Sequence, residues 1–241
     1  TIVASVVCAA EFARGCKDRL ATDFLLDYSD WLSAHLEEWM VTSRGELVKG
    51  KPRHYVRITP ADPKQARAAP DPDEAEIVIA NGGGKHPARN IVGGDFLQLV
   101  RLGVRAANTA LVVDSLAVID QVLKRDLPQG PSWRRYNHDG YGEKADGSAY
   151  DGTGEGRCWP ILTGERGHYE LAAGRDPLPF IEALWQAYQA GQDVPSSWRD
   201  YFERWRFSES PLAGGPAPSV AAGFFQSRAE GNRVAAPHSE P

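Results

Sequence analysis

W-R-R-Y-N-H-D-G-Y-G-E-K-A-D-G-S-A-Y-D-G-T-G-E-G-R-C-W, residues 133 to 159, is the stretch around which this sequence is organised. Its six glycines favour turns and close backbone approaches over a regular helix or strand. Long polar loops between amphipathic segments commonly carry function, although a mobile surface loop is the alternative. Planar aromatic rings can stack on the apolar faces of sugars, while arginine and aspartate bind sugar hydroxyls. The stretch therefore indicates a loop suited to a sugar.

The composition is that of an ordinary globular protein. The chain has 241 residues, of which 42% are hydrophobic and 24% charged, so it can bury one core and carry an appendage. Its formal net charge of -5 provides no basic face for phosphates. This excludes nucleic acid as the expected partner and favours a neutral, polyhydroxylated one.

The three cysteines and the ends of the chain bear on compartment and cofactors. The odd number of cysteines argues against a disulfide framework, and the absence of CxxC or Cys/His metal-ligand spacing argues against zinc. Both observations predict a reducing, cytoplasmic location. No apolar run is long enough to cross a membrane, and the N-terminus reads as a chain entered in mid-helix rather than as a signal peptide. The acidic residues of the long loop do not match the calcium-loop pattern, so we predict neither a metal nor a cofactor.

Helical periodicity covers most of the chain. The helices follow one another in pairs with long connections at alternate positions, as in a barrel of antiparallel helical hairpins with its long loops at one rim. Periodicity does not distinguish such a barrel from an open helical bundle. Asn108 is the expected N-cap of the fourth helix, Gly174 the stop after the fifth, and the tail from Ser208 is predicted to be disordered. On the second helix the residues spaced by three and four that form its apolar face are Leu20, Phe24, Tyr28, Trp31, Leu32, His35, Leu36 and Trp39. The predicted helices are residues 1–14, 18–40, 94–104, 109–127, 156–173, 177–190 and 196–207.

The segment between the second and third helices is predicted to be mostly extended. Alternation at 47–48 and 54–58 indicates a short hairpin, and the prolines of 60–73 indicate an excursion without regular structure. Residues 76–80 form an extended piece. The following G-G-G-K at 82–85 lacks the spacing of a phosphate-binding loop.

Four segments carry a likeness to a known family. They are R-H-Y-V-R-I at 53–58, V-G-G-D-F-L-Q-L-V-R at 92–101, W-R-R-Y-N-H-D-G-Y-G at 133–142 and D-G-T-G-E-G-R-C-W-P-I-L-T-G-E-R-G-H-Y-E-L-A at 151–172. Through them residues 1–182 resemble the bacterial glucoamylase and glucodextranase glycoside hydrolases, glycoside hydrolase family 15. The resemblance implies an all-α fold, a barrel of six helical hairpins, of which this chain would form an incomplete ring with exposed apolar helix faces.

The same resemblance suggests site residues. Arg135 and Asp139 look like the pair that holds the hydroxyls of a terminal glucose, and Tyr141 and Trp159 look like walls of its pocket. For Trp159, simple core packing is the alternative. The implied partner is an α-glucan oligosaccharide.

The family's inverting, exo-acting hydrolysis uses two glutamates, one as acid and one as base. The acid belongs to a W-E-E motif located before the helix that begins here at Thr1, and the base to an L-P-E-Q motif after the helix near Pro177. Neither motif occurs in this sequence. Glu143, Asp151, Glu155 and Glu165 are the other candidates, but no pair stands out, so the catalytic residues stay unknown.

The C-terminal region has a second, shorter resemblance. Residues 180–202 are similar to the N-terminal segment of the first component of 2-oxoglutarate dehydrogenases, which docks that enzyme in its complex. We therefore divide the chain into a hydrolase-like part at 1–182, an appended helical segment at 183–207 and a disordered tail at 208–241. The functional alternatives are an active glycosidase, a non-catalytic sugar-binding remnant, and a fusion fragment with a docking helix.

Overall fold

The computed structural model describes residues 1–60, 70–146 and 148–191. Within these residues the fold contains six α-helices and three two-stranded antiparallel sheets. The helices are α1 Ile2–Gly15, α2 Arg19–Met40, α3 Leu97–Arg101, α4 Ala110–Val122, α5 Pro160–Ala172 and α6 Leu178–Gly191. The strands are β1 Val41–Thr42, β2 His54–Tyr55, β3 Glu76–Ile79, β4 Gly84–Pro87, β5 Lys124–Leu127 and β6 Gly130–Trp133. The predicted helix at 196–207 and the tail beyond it lie outside the described residues.

The helices α1 and α2 form an antiparallel-looking pair, as the periodicity predicts. The carboxylate of Asp18 caps α2 by accepting a hydrogen bond from the backbone N–H of Ala21 at 3.0 Å. Small and β-branched residues of α1, such as Val7 and Ala10, are buried, and Leu26 and Leu32 are buried on α2. The pair therefore buries one face of each helix.

The apolar face of α2 is exposed to solvent over the first half of the helix. Leu20, Phe24, Tyr28 and Trp31 are exposed, with 85% of Leu20 accessible to solvent. The aromatic rings stack on one another instead, Phe24 on Tyr28 at 6.3 Å and Tyr28 on Trp31 at 6.0 Å between ring centroids. Helical spacing places these side chains on one stripe, but it does not determine what lies opposite that stripe.

The main core lies between α2, α3, α4 and α5. Tyr55 and Phe96 stack at 5.3 Å between centroids, and both are almost completely buried. The hydroxyl of Tyr55 donates to Glu37, which also forms an ion pair with Arg105. Burial and this hydrogen bond raise the pKa of Tyr55. The network ties α2 to the turn before α4.

The helix predicted over 109–127 is shorter than expected. It ends at Val122, and Lys124–Leu127 pairs instead with Gly130–Trp133 in a hairpin. The turn uses Gly130 at φ +124°, a conformation that side chains disfavour. The predicted cap is also wrong, because Thr109 rather than Asn108 is the N-cap, without a side-chain hydrogen bond.

Two other helix boundaries differ from the prediction. Residues 94–104 form a 3₁₀ turn at Gly94–Phe96 followed by the short α3. The helix predicted from 156 begins only at Pro160, because proline favours the first helical position and keeps the preceding Trp159 extended. The predicted stop is confirmed, since Gly174 has φ +70° just after α5.

The extended segments are more numerous than the single predicted hairpin. Leu47 and Val48 are outside the strands, while β1 and β2 pair through Val41 with Tyr55 and Thr42 with His54. The predicted extended piece at 76–80 is β3, which pairs with β4. The fold is thus helical with three small sheets rather than purely α. No helix among the described residues is long and apolar enough to span a membrane.

Asp73 anchors the end of the excursion predicted at 60–73, of which 61–69 lie outside the described residues. Its carboxylate accepts hydrogen bonds from the hydroxyls of Thr42 and Ser43 and from the backbone N–H of Ser43 at 3.2 Å. Burial alone would raise the pKa of Asp73, but these hydrogen bonds lower it to about 2. This carboxylate is therefore ionised at neutral pH.

Candidate functional site

The backbone brings the two ends of the long loop side by side. Trp159 donates its backbone N–H to the carbonyl of Trp133 at 3.1 Å, and Arg134 forms a bridge with Cys158. The loop thus leaves β6 and returns next to it before entering α5. This arrangement fixes the positions of residues close to either end.

Asparagine side-chain bonding fixes the next turn of the loop. The side-chain oxygen of Asn137 accepts from the backbone N–H of Val92 at 2.9 Å, and its Nδ2 donates to the carbonyl of Asn90 at 2.7 Å. Tyr136 forms a backbone bridge with Gly93. The start of the loop is therefore attached to residues 90–93, which overlap the beginning of the segment 92–101 that carries the family resemblance.

Arg135 and Asp139 form a two-pronged ion pair. Nε of Arg135 donates to one carboxylate oxygen of Asp139 at 2.7 Å, and Nη2 donates to the other at 2.8 Å. The backbone N–H of Tyr141 adds a third hydrogen bond to Asp139 at 3.0 Å. The side chain of Asp139 is fully buried, whereas 33% of the Arg135 side chain is accessible. The hydrogen bond to Asp139 raises the pKa of Arg135, so the guanidinium stays protonated.

Tyr141 and Trp159 lie next to this ion pair. The guanidinium carbon of Arg135 is 5.2 Å from the Tyr141 ring centroid and 5.3 Å from the Trp159 ring. The two rings are stacked at 6.2 Å with 22° between their planes. The structure therefore brings all four predicted site residues together. We call Arg135, Asp139, Tyr141 and Trp159 the arginine–aromatic cluster.

The two rings of the cluster differ in exposure. Tyr141 is 43% accessible, so it presents a face to solvent. Trp159 is half-buried, and its Nε1 has no hydrogen-bond acceptor among the described residues. Both a packing role and a binding role for Trp159 are compatible with this position. Tyr141 is the more accessible wall.

Aromatic residues that the sequence patterns did not assign extend the cluster. Tyr150 meets Tyr141 edge to face at 5.1 Å between centroids. Tyr136 lies 5.2 Å from the guanidinium carbon of Arg135 and 3.8 Å from that of Arg57. The signal available for the two tyrosines was their position in an unusually aromatic loop. Arg57 was marked only by its position in the R-H-Y-V-R-I segment at 53–58.

The turn of the β3–β4 hairpin braces the loop. The hydroxyl of Tyr150 donates to the side-chain oxygen of Asn81 at 2.7 Å, and the rings of His86 and His138 stack at 3.9 Å. At Gly140 a Cβ atom would overlap the backbone carbonyl of Asn81. The glycines thus permit close backbone packing, and the loop is packed against the fold rather than separated from it.

The other carboxylates of the loop have different surroundings. Glu143 pairs with Arg157 and Asp151 pairs with Lys144 at the exposed surface, while Glu155 is exposed. Burial, and to a lesser extent the charge of Asp95, raises the pKa of Glu165 on α5, which accepts from Gln98 at 2.9 Å. Glu165 lines a small, largely apolar cavity with Leu97 and Trp133. These surroundings identify no acid and base pair. In the part of the chain that is described, no group of three or more metal-binding side chains is present.

Comparison with known proteins gives a strong match over most of the chain, although no family model matches. The chain is 42% identical over 183 residues to a glucoamylase of Clostridium sp. (strain G0005). A crystal structure of a bacterial glucoamylase complexed with acarbose superposes with a TM-score of 0.68 at 42% identity. Over these residues the chain is related to the bacterial glucoamylases. The resemblance expected from the four segments is confirmed.

The match to the glucoamylases covers very different shares of the two proteins. It covers 76% of this chain but only 25% of the Clostridium glucoamylase. For the solved structure the shares are 75% and 26%. The chain thus spans about a quarter of the length of these relatives, and its helical architecture agrees with that of the solved bacterial glucoamylase. The shorter likeness of residues 180–202 to a dehydrogenase component stays a prediction.

Proposed function

We propose that the arginine–aromatic cluster binds the terminal glucose unit of an α-linked glucan, as part of a glycoside hydrolase of the glucoamylase type. The observation that supports this most directly is the guanidinium of Arg135, held by Asp139 within 5.3 Å of both the Tyr141 and Trp159 rings. The related bacterial glucoamylase was crystallised in complex with acarbose, which supports the same class of ligand.

The chemistry of Arg135 suits a polyhydroxylated ligand. A guanidinium carries five N–H donors in a fixed plane, and the two bonds to Asp139 leave the others for a ligand. Because the carboxylate fixes that plane before the ligand arrives, little side-chain entropy is lost on binding. The accessible ring of Tyr141 adds an apolar surface for the face of a sugar.

We propose further that residues 1–241 alone bind such a sugar without hydrolysing it above background. The sequence contains neither the W-E-E nor the L-P-E-Q motif that carries the family's acid and base. The carboxylates of Glu143 and Asp151 form surface ion pairs with the side chains of Arg157 and Lys144. General acid and base catalysis contribute about 10² to 10⁴-fold each, so binding without them retains little rate.

The other interpretations are a carbohydrate-binding remnant of the family and a fusion fragment with a docking helix. In the structure the first half of α6 packs on the helical body, since the ring of Phe180 lies 6.1 Å from that of Trp133. This contact favours counting residues near 180 with the hydrolase-like part. Residues 192–202 of the docking-segment likeness lie outside the described chain.

The test is a titration with maltotriose and with acarbose at millimolar concentration, in which binding is monitored by ligand-observed NMR. We expect saturable binding that weakens about 10-fold in Asp139→Asn, because a charge-assisted pair is lost. The matched control is Arg125→Ala, whose guanidinium donates to the backbone carbonyls of Val122 and Lys124 in its own segment. An absence of binding by the unmodified chain would refute the proposed function.

The lack of hydrolysis has its own test, the release of glucose from maltotriose by the purified chain. We expect a rate indistinguishable from buffer. A measurable rate that Asp139→Ala abolishes would contradict the proposal, since it would show that another carboxylate pair serves as acid and base. A rate unchanged by Asp139→Ala would indicate a contaminating enzyme.

A further inference from the structure

Arg57 is the second guanidinium at this site. Its guanidinium carbon lies 3.8 Å from the ring centroid of Tyr136, close enough for a cation–π contact. Arg57 is half-buried. Among the described residues its side chain has no carboxylate partner and no hydrogen-bond acceptor. A half-buried arginine with only an aromatic contact has its donors available for a ligand.

The backbone fixes Arg57 beside the cluster. Its N–H donates to the carbonyl of Ile91 at 2.9 Å, and two residues later Gly93 forms the bridge with Tyr136. A Cβ atom at Gly93 would lie 3.0 Å from the carbonyl oxygen of Arg135 and 3.6 Å from Cγ of Arg57. The side chains of Arg57 and Arg135 therefore start from neighbouring backbone.

The two guanidinium groups contact the same ring. Arg135 lies 5.2 Å from the Tyr136 centroid and Arg57 lies 3.8 Å from it. Their guanidinium carbons are consequently no farther apart than the sum of these distances, which is on the scale of two linked sugar rings. A ligand of two linked sugar rings is therefore long enough to reach from Arg135 to Arg57.

The two groups differ in charge balance. Asp139 neutralises Arg135 through two hydrogen bonds. Asp95 is also near this segment, because its Oδ2 would lie 3.0 Å from a Cβ at Gly93, but it forms no ion pair with Arg57. Stacking on Tyr136 fixes the guanidinium plane of Arg57 and leaves the N–H groups at its edge free to donate.

We propose that Arg57 donates hydrogen bonds to hydroxyl oxygens of the sugar residue adjoining the one that the cluster binds. The site then recognises at least two linked sugar units rather than one. This inference rests on the proposed function, because it requires a sugar at Arg135. It predicts that the contribution of Arg57 depends on the length of the oligosaccharide.

The experiment compares Arg57→Ala with the unmodified chain in titrations with glucose, maltose and maltotriose. We expect the affinity for maltose and maltotriose to fall about 10-fold, the effect of one charge-assisted hydrogen bond at a partly exposed site, while the affinity for glucose stays the same. Arg57→Lys keeps the charge but not the planar fork, so it is expected to recover only part of the loss. Arg125→Ala is again the control for removing a surface arginine.

The outcomes separate this inference from the proposed function. Equal weakening for glucose and for the oligosaccharides would show that Arg57 acts through the structure of the site and would overturn the inference. Unchanged affinities for all three sugars in Arg57→Ala would also overturn it and leave the proposed function standing. If the unmodified chain bound none of the sugars, both proposals would fail together.

Discussion

The contact between Gly140 and Asn81 allows a sharp test of how the loop is held. In Gly140→Ala the added methyl group would overlap the carbonyl of Asn81, whose side chain also accepts the hydroxyl of Tyr150. Because the favourable contact distance between non-bonded heavy atoms is about 3.5 Å, the hairpin and the loop must separate by on the order of 1 Å. Gly140 lies between Asp139 and Tyr141, so the separation disturbs two members of the cluster.

The magnitude follows from the packing. Overpacking of a tight contact costs about 1–3 kcal/mol of the free energy of unfolding. For a domain of this size, about 2 kcal/mol lowers the melting temperature by roughly 4–8 °C. We expect this decrease in Gly140→Ala by differential scanning calorimetry, together with at least about 10-fold weaker maltotriose binding as Asp139 is displaced.

Gly15→Ala is the matched control. Gly15 is the last residue of α1, and a Cβ atom there would meet nothing within 4 Å. Its melting temperature should stay the same or rise slightly, since alanine reduces the entropy of the unfolded chain. If Gly140→Ala melted and bound maltotriose like Gly15→Ala, the brace between the hairpin and the loop would be wrong.

Three further predictions concern stability. Hydrogen bonds outweigh burial and hold the pKa of Asp73 at about 2, so its ionised form stabilises the fold above pH 4 and this contribution is lost as the pH falls toward 2. Urea unfolding should show that Asp73→Asn lowers the free energy of unfolding by about 2 kcal/mol at pH 7. Between pH 4 and pH 2 the variant should lose less stability than the unmodified chain. Glu170 is buried between two arginines, so Glu170→Gln should lower the free energy of unfolding by about 3 kcal/mol, whereas Glu11→Gln at an exposed pair should change it by less than about 1; equal effects would contradict the burial argument. Burial lowers the pKa of His54 below 6.5, so its contribution to the free energy of unfolding is complete above pH 6.5 and decreases as the pH falls below that value. Calorimetry should show that the melting temperature of His54→Gln decreases less between pH 7 and pH 5 than that of the unmodified chain.

The sequence predicted the structure best at positions where the residue type restricts the backbone conformation. The stop at Gly174 was predictable, because a residue in the left-handed conformation after a helix has few alternatives to glycine. The pairing of Arg135 with Asp139 followed from a family resemblance, and the structure brings those side chains together.

The parts that could not be predicted depend on distant partners. Lys124–Leu127 continues a helical pattern, and only its pairing with Gly130–Trp133 makes it a strand. The exposed stripe on α2 has a core-like spacing, because a local pattern does not reveal whether another element covers it. Likewise, nothing near residue 57 in the sequence indicates that its side chain lies over Tyr136.

Fluorine NMR tests most directly whether the arginine–aromatic cluster binds a sugar. The chain has seven tryptophans, so incorporation of 5-fluorotryptophan gives up to seven resonances, of which Trp159→Phe and Trp31→Phe identify two. We predict that maltotriose shifts the Trp159 resonance saturably and leaves that of the exposed Trp31 unchanged. A Trp159 resonance that stays in place at saturating maltotriose, or a shift at Trp31 instead, would contradict the account.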